Sequence, residues 1–229
     1  MKIKFYLAAA GLFLGLNTFA QEKKEWDFRL RAIAVVPQES ATIGVIGGNI
    51  NLNNSFAPEL DITYFFAKNF SAELILGTVK HKAKTTGSNL SAIGGPSSAD
   101  VDLGSVWLLP PTLNLQYHIP TGSAFKPYLG AGANYTIFYS ADKGKTVQGI
   151  DYKDKFAFAA QAGFDIDITK NVFFNVDLKK IWLSTTATVD AANLTPAGSP
   201  ALAPVLQNIK ADVKINPWVI GVGIGYRIK

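Results

Sequence analysis

The sequence predicts an all-β protein: an eight-stranded antiparallel up-and-down transmembrane β-barrel with long extracellular loops and short periplasmic turns. Three observations predict it. Apolar and polar residues alternate with period two over segments of about ten residues or more, the length of a tilted strand that crosses a bilayer. The connections between these segments alternate between long and short. Beyond the first residues, no run of about eighteen apolar residues provides a transmembrane helix.

The first residues have the pattern of a secretory signal peptide. Lys2 and Lys4 precede an apolar segment, and small residues precede Gln21, so we expect residues 1–20 to be removed and 21–229 to form the barrel. Loss of the two lysines lowers the formal charge from +5 to +3, which does not argue for a nucleic acid partner. The chain has no cysteine, which excludes a disulfide framework and thiol chemistry.

The predicted strands and connections follow one another along the chain. The strands are Trp26 to Val36, about Ala57 to Phe66, Phe70 to about Lys84, the two arms of a central hairpin from Trp107 to Tyr139, Phe156 to Ile168, Val172 toward Val189, and a last strand ending Trp218 to Lys229. Polar loops are predicted at about 37–55, 85–104, 140–154 and 190–206. Tight turns rich in Lys, Asn, Thr and Gly join the other strand ends.

The polar face of these strands carries acids and bases that would be costly against lipid. They are Asp27, Arg29, Arg31, Glu59, Asp61, Glu73, Asp165, Asp167, Asp177 and Lys179. Such charges pair readily across a narrow lumen, whereas a soluble lipocalin-like barrel turns its apolar face inward. The alternation therefore favours a membrane barrel, located in the outer membrane of a Gram-negative bacterium, over a soluble ligand carrier.

Several strings resemble the outer membrane protein W (OmpW) family over essentially the whole mature chain. They are Trp26-x-x-x-Leu-Arg, Leu109-Pro-Pro-Thr-Leu-x-Leu-Gln-Tyr-His118, Lys126-Pro-Tyr-x-Gly-Ala-Gly-x-Asn-Tyr135, Gln161-Ala-Gly-Phe164, Asn216-Pro-Trp and Gly223-Ile-Gly-Tyr-Arg. The resemblance implies a narrow hydrophobic passage with a lateral opening in the wall, uptake of small apolar compounds, and in some members a role as phage or bacteriocin receptor. The chain departs from the pattern at its end, where Lys229 stands instead of the usual aromatic residue.

Prolines within predicted strands are candidates for the lateral opening, because proline provides no ladder donor. Pro110 and Pro111 interrupt the fourth strand and Pro217 the eighth, and each marks either a bulge or a local break in pairing. The candidates for the channel and its lateral opening are Trp107, Leu109, Pro110, Pro111, Trp182 and Pro217. Whether the two tryptophans line the passage or face lipid stays open without a strand register.

Aromatic, basic and histidine residues near the strand ends suggest further roles. The aromatic residues Trp26, Tyr64, Phe65, Phe66, Trp107, Tyr139 and Trp182 fit interfacial girdles. The basic residues Lys80, Lys82 and Lys84 are suited to lipopolysaccharide phosphates or to a solvated loop base. His81 beside a Ser or Thr could serve a lipid hydrolase, but His118 is predicted at the opposite end of the barrel.

Two main functions remain open. The first is passive uptake of small apolar molecules through a hydrophobic channel with lateral release, because the predicted loops carry Ile43, Val45, Ile46, Leu90, Ile93, Val101, Leu103, Leu194, Leu202, Val205 and Leu206. The second is a structural envelope barrel, or a receptor that displays loops, without transport. No enzyme activity, cofactor or metal site is predicted. The expected partners are outer-membrane lipid, lipopolysaccharide and small hydrophobic solutes.

Overall fold

A computed structural model describes residues 24–229, so the predicted signal peptide lies outside the described residues. The strands are β1 (Glu25–Val36), β2 (Ser40–Ile43), β3 (Asn49–Leu52), β4 (Ser55–Ala67), β5 (Phe70–Gly77), β6 (Val79–Ser88), β7 (Ala99–Leu109), β8 (Thr112–His118), β9 (Phe125–Lys143), β10 (Gly149–Tyr152), β11 (Lys155–Asp167), β12 (Val172–Trp182), β13 (Ser184–Asp190), β14 (Ile209–Lys214) and β15 (Trp218–Ile228). One short helix, α1 (Ala203–Leu206), and three 3-10 turns complete the described part. None of its helices is long and apolar enough to cross a bilayer.

Eight of these strands close into an antiparallel barrel, as the sequence predicts. The order around the barrel is β1, β4, β5, β8, β9, β11, β12 and β15, and β15 pairs with β1 again. Closure gives every barrel strand a neighbour on both sides, which removes the free edge strands whose unpaired backbone groups would each cost several kcal/mol in hydrocarbon. Three predicted long strands are each divided in two: β5 continues as β6, β7 as β8, and β12 as β13.

The period-two alternation places side chains as expected. On β1, Arg29 and Arg31 are fully buried in the lumen, whereas Leu30 between them is 63% exposed on the outer face. The same pattern recurs on β8, where Asn114 is buried and Leu115 is 64% exposed. The exposed apolar side chains encircle the barrel, as expected for a surface that contacts lipid.

One prediction about a particular residue is wrong. Phe65 does not belong to an interfacial girdle: it is buried in the lumen, with its ring centroid 4.6 Å from that of His118. The neighbouring Tyr64 does face outward and contacts Trp26, with ring centroids 4.6 Å apart. Phe65 continues the inward series of Asp61 and Thr63, so the period of two itself places this ring in the lumen.

The predicted extracellular loops are only partly loops. Segments expected to be irregular contain β2, β3 and β10, and β6, β7 and β9 extend beyond the expected membrane region. They form a sheet β10-β13-β14-β2 and a ladder β3-β6-β7-β9, which together build an extracellular continuation of the barrel. These strands pair with segments distant in sequence, so short alternating stretches gave too little local signal to predict them.

Candidate passage through the barrel

The extracellular continuation encloses an apolar cavity of about 60 Å³, called here the upper chamber. Of the apolar loop residues predicted to form a funnel, Ile43, Ile46, Leu90, Ile93, Val101, Leu103, Leu194 and Leu206 line it. Val45 and Val205 instead face solvent, and Leu202 packs against the core from outside the lining. The elements that position the lining are the inward faces of β6, β7, β13 and β14.

A second cavity of about 50 Å³, the lower chamber, lies where the continuation meets the membrane barrel. Its walls are apolar and include Ile33, Val35, Ile75, Val79, Ile181, Leu183 and Val219. Polar side chains also line it, among them Glu59, Thr112, Thr136 and Lys179. Glu59 and Lys179 belong to the ion-pair network below, so we describe them as the floor of the lower chamber.

Three side chains line both chambers and therefore mark the boundary between them. They are His81 on β6, Leu108 on β7 and Ile215 just after β14. All three are buried. Sequence reasoning did not single out Leu108 or Ile215, because inward apolar residues above the membrane belt interrupt the polar-inside pattern of the lower strands.

Below the lower chamber a network of buried ion pairs fills the lumen. The Lys179 ammonium lies 2.9 Å from Glu59 and 2.8 Å from Asp177, and Arg31 lies 2.9 Å from Glu59 and 2.8 Å from Asp61. Arg29 continues the network, 2.9 Å from Asp61 and 3.1 Å from Asp165. Arg227 closes the periplasmic end on both oxygens of Asp27, each at 3.0 Å. This charge pairing was predicted from the alternation.

Buried aromatic rings seal the same end. Tyr128 and Phe173 are 1% and 0% exposed, and the Arg29 guanidinium lies 5.7 Å and 5.3 Å from their ring centroids. Two glycines make room for them: a Cβ on Gly163 would lie 2.4 Å from the Tyr128 hydroxyl, and one on Gly225 would lie 2.1 Å from Phe173 Cζ. The inward glycines of β11 and β15 are therefore the sequence signal for these rings.

The wall of the lower chamber has a break in strand pairing. Ile75 pairs with Thr112, and Val79 pairs with Leu108. Between these two pairs, no residue of Leu76–Thr78 pairs with any residue of Leu109–Pro111 in the described structure. Three residues lie on each side, and the register is the same above and below the gap. We call these two facing segments the window. Their equal lengths exclude a bulge, which requires an extra residue on one strand.

The cause of the break is one proline. Along a strand, the N–H and C=O groups of successive residues point alternately to one neighbouring strand and to the other. Those of Leu108 and Thr112 point toward β6 and β5, so those of Pro110, midway between them, point the same way. Pro110 lies opposite Gly77 and has no N–H to donate to it. The Pro110 carbonyl is instead taken by Thr112 Oγ1 at 3.0 Å and Asn134 Nδ2 at 3.1 Å.

The structure divides the predicted channel residues into two groups. Pro110 and Pro217 line the lower chamber. The others, Trp107, Leu109, Pro111 and Trp182, lie on the outer face of the barrel. Pairing continues beside Pro217, since Ile181 N donates to its carbonyl at 3.2 Å and Gln38 N donates to the Ile215 carbonyl at 2.9 Å. Pro217 therefore lies in a closed stretch of wall, unlike Pro110.

The two histidines lie far apart in the barrel, with His118 packed beside Tyr128 in the periplasmic seal. His81 does have a serine beside it: Ser55 Oγ is 3.2 Å from His81 Nδ1. However, Ser55 Oγ donates to the Lys80 carbonyl at 2.5 Å, and His81 Nδ1 is 2.9 Å from the Asn53 carbonyl, which can only accept. The ring nitrogen nearest the serine thus carries a hydrogen and cannot serve as its base.

The predicted basic cluster is partly neutralised. Lys80 is paired with Asp142 at 3.1 Å and its ammonium lies 5.5 Å from the centroid of the Trp107 ring, while Lys84 is paired with Asp100 at 3.3 Å. Among residues 24–229, no group of three or more histidine and carboxylate side chains is arranged to hold a metal ion.

Comparison with known proteins identifies the family. The family model described as the OmpW family matches residues 23–228. The chain belongs to the OmpW family. It is 40% identical over 203 residues to an outer-membrane protein of Sinorhizobium fredii, y4mB, covering 88% of this chain and 79% of the relative. It is 28% identical over 218 residues to the dibenzothiophene metabolism operon protein PahQ of Pseudomonas aeruginosa, covering 93% of this chain and 92% of the relative.

A solved structure agrees with the fold. The crystal structure of the outer membrane protein OprG from Pseudomonas aeruginosa superimposes with a TM-score of 0.76 at 27% identity, covering 90% of this chain and 97% of that chain. The family and the structural match indicate an outer-membrane β-barrel of a Gram-negative bacterium, surrounded by lipid and lipopolysaccharide.

Proposed function

We propose that the protein lets small apolar molecules cross the outer membrane passively, through the two chambers and then sideways into the bilayer through the window. The observation that carries this proposal is that the apolar chambers end on a floor of buried ion pairs. An apolar solute that reached Glu59 and Lys179 would have to separate paired buried charges, at a cost of about 3–5 kcal/mol for each broken pair. The window is the alternative exit.

The window is suited to a lateral exit because little holds it closed. The unpaired stretch lies between the paired residues Ile75 and Val79, which are about 13 Å apart along the strand at roughly 3.3 Å per residue. Two side-chain bonds, both of Thr78 Oγ1, cross its upper edge in the described structure: one to the Leu108 carbonyl at 3.2 Å and one to the Tyr139 hydroxyl on β9. Leu76 within the window and Leu113 beside it lie on the lipid side and are 37% and 57% exposed.

The chambers must widen for a solute to pass. Cavities of about 60 and 50 Å³ are smaller than the roughly 150 Å³ apolar cavity that holds benzene. The lining packs by dispersion between apolar side chains, so parting them breaks no hydrogen bond. The described conformation is therefore a closed state of the proposed passage.

One relative also supports an apolar solute. PahQ is named for a dibenzothiophene metabolism operon, and dibenzothiophene is an apolar aromatic molecule. The similarity to PahQ extends over 93% of this chain, which includes both chambers and the window.

Uptake measurements test the proposal against the structural alternative. Vesicles whose outer leaflet contains lipopolysaccharide, prepared with and without the protein, would be exposed to labelled octane and naphthalene. We expect faster uptake with the protein. Equal rates would overturn the proposal and favour the envelope or receptor role, which deletion of the exposed segment around Val45 would then test through loss of phage or bacteriocin binding.

A further inference from the structure

His81 stands out because it is a buried polar side chain at the boundary between two apolar chambers. Its residue is 2% exposed, and it lines both the upper and the lower chamber. Every solute that followed the proposed route would pass it. The boundary is otherwise formed by Leu108 and Ile215, which offer no polar group.

The contacts of the ring fix which nitrogen carries the hydrogen. Nδ1 lies 2.9 Å from the Asn53 carbonyl oxygen, and a carbonyl can only accept, so Nδ1 donates. Ser55 Oγ, 3.2 Å from the same nitrogen, gives its own hydrogen to the Lys80 carbonyl. In the neutral ring Nε2 is therefore an acceptor, and the side chain that carries it lines both chambers.

Nε2 has no hydrogen-bond partner among the described residues. The ring's contacts are with Ser55 and Asn53, both through Nδ1. Three other polar side chains line the upper chamber, and two of them are bonded to the wall: Thr85 Oγ1 accepts from Ser88 Oγ at 2.8 Å, and Thr185 Oγ1 donates to the Lys153 carbonyl at 2.6 Å. The third, Tyr152, lies away from the boundary between the chambers and stacks on Phe138, with ring centroids 5.5 Å apart. Burial lowers the pKa of His81, against the opposing effects of the Asn53 carbonyl and Glu39, and so favours the neutral ring.

We propose that His81 Nε2 is a hydrogen-bond acceptor for the solute, so that the passage prefers apolar molecules bearing one hydroxyl group, such as medium-chain alcohols, over equally apolar molecules without a donor. This inference rests on the proposed function and specifies its solute class. The apolar chain of an alcohol would occupy one chamber while its hydroxyl bonds to Nε2 at the boundary. A hydroxyl that donates to Nε2 gains one net hydrogen bond that a solute without a donor cannot form.

Two isomers of equal composition separate the hydroxyl from apolarity: 1-heptanol, which donates, and hexyl methyl ether, which does not. Nitrogen-15 NMR of the labelled protein in lipid nanodiscs would follow both histidines during titration with each compound. We expect heptanol to shift His81 Nε2 in the direction of an accepted hydrogen bond, with no such shift from the ether. His118, in the periplasmic seal, is the internal control and should not respond.

The variant His81→Phe keeps a planar ring and removes the acceptor. We expect it to weaken heptanol binding about two- to tenfold relative to ether binding, the equivalent of one net hydrogen bond. Gel mobility before and after heating checks that the variant folds, and the wild-type NMR titration does not depend on the variant at all.

The outcomes distinguish this inference from the proposed function. Equal affinities for heptanol and the ether in the wild type, or no shift of Nε2, would overturn the role of His81 while ether uptake into vesicles could remain fast. Ether uptake no faster than in protein-free vesicles would overturn the proposed passage, and with it the inference.

Discussion

Lys179 shows how strongly one side chain can matter in the lumen. Its ammonium is buried between Glu59 and Asp177, so the change Lys179→Met leaves two buried carboxylates without their common partner. We expect a loss of about 3–5 kcal/mol in the free energy of unfolding, measured in urea with folded and unfolded forms separated on gels. Lys170→Met, in an exposed turn, is the control and should leave the unfolding midpoint unchanged. A midpoint equally unchanged in Lys179→Met would contradict a paired, filled lumen.

Individual residues differ in how well the sequence predicts their environment. Arg29 and Asp61 could be placed in the lumen, because a charge on one face of a long alternating strand has only one inexpensive location. Tyr128 and Phe173 could not, since an aromatic residue suits lipid, interface or lumen equally well. Their inward position depends on the space left by Gly163 and Gly225 on neighbouring strands, which only the register reveals.

The β7–β8 junction provides a test with a built-in control. Pro110→Val restores a donor opposite Gly77, whereas Pro111→Val restores one on the other side, toward β9, where Tyr135 N already donates to the Pro111 carbonyl at 3.0 Å. We expect Pro110→Val to raise the temperature at which the folded gel band is lost, for a gain of roughly 0.5–1.5 kcal/mol per bond, and to slow octane uptake. Pro111→Val should leave uptake unchanged. Equal effects of both changes on uptake would show that the break beside Gly77 has no special role.

The strands themselves illustrate what alternation can and cannot predict. It places the eight barrel strands in the right order, and it marks Pro110 as an interruption. It could not show whether the interruption is a bulge or a break, because that depends on the number of residues in the opposing strand between two pairs. It also missed Pro58 on β4, which lies opposite Thr78 and leaves the same stretch of chain poorly paired on its other side.

The barrel as a whole combines a predictable half and an unpredictable half. The membrane region follows from period two, since lipid outside and paired charges inside impose opposite demands on successive residues. The extracellular continuation joins β2 to β14 and β3 to β6, and no local pattern specifies these distant partners. The apolar loop residues nevertheless indicated a hydrophobic enclosure, and most of them line the upper chamber.

A filled lumen has a consequence for ion permeation. An eight-stranded barrel is only just wide enough for its own side chains, and here ion pairs and aromatic rings occupy that space. We expect single-channel recordings in planar bilayers to show no steps above the noise, with a large water-filled porin in the same bilayer as the positive control. Regular conductance steps from the folded protein would contradict the sealed lumen.

The most direct measurement of lateral release is a reversible closure of the window. The chain has no cysteine, so Leu76→Cys with Pro111→Cys would form the only disulfide, across facing positions on the lipid side of the window. Leu74→Cys with Leu113→Cys, one step below in the intact ladder, is the matched control. We predict that oxidation of the window pair stops octane uptake and reduction restores it, while oxidation of the control pair has no effect. Octane uptake that is as fast with the window disulfide oxidised as with it reduced to thiols would contradict a lateral exit.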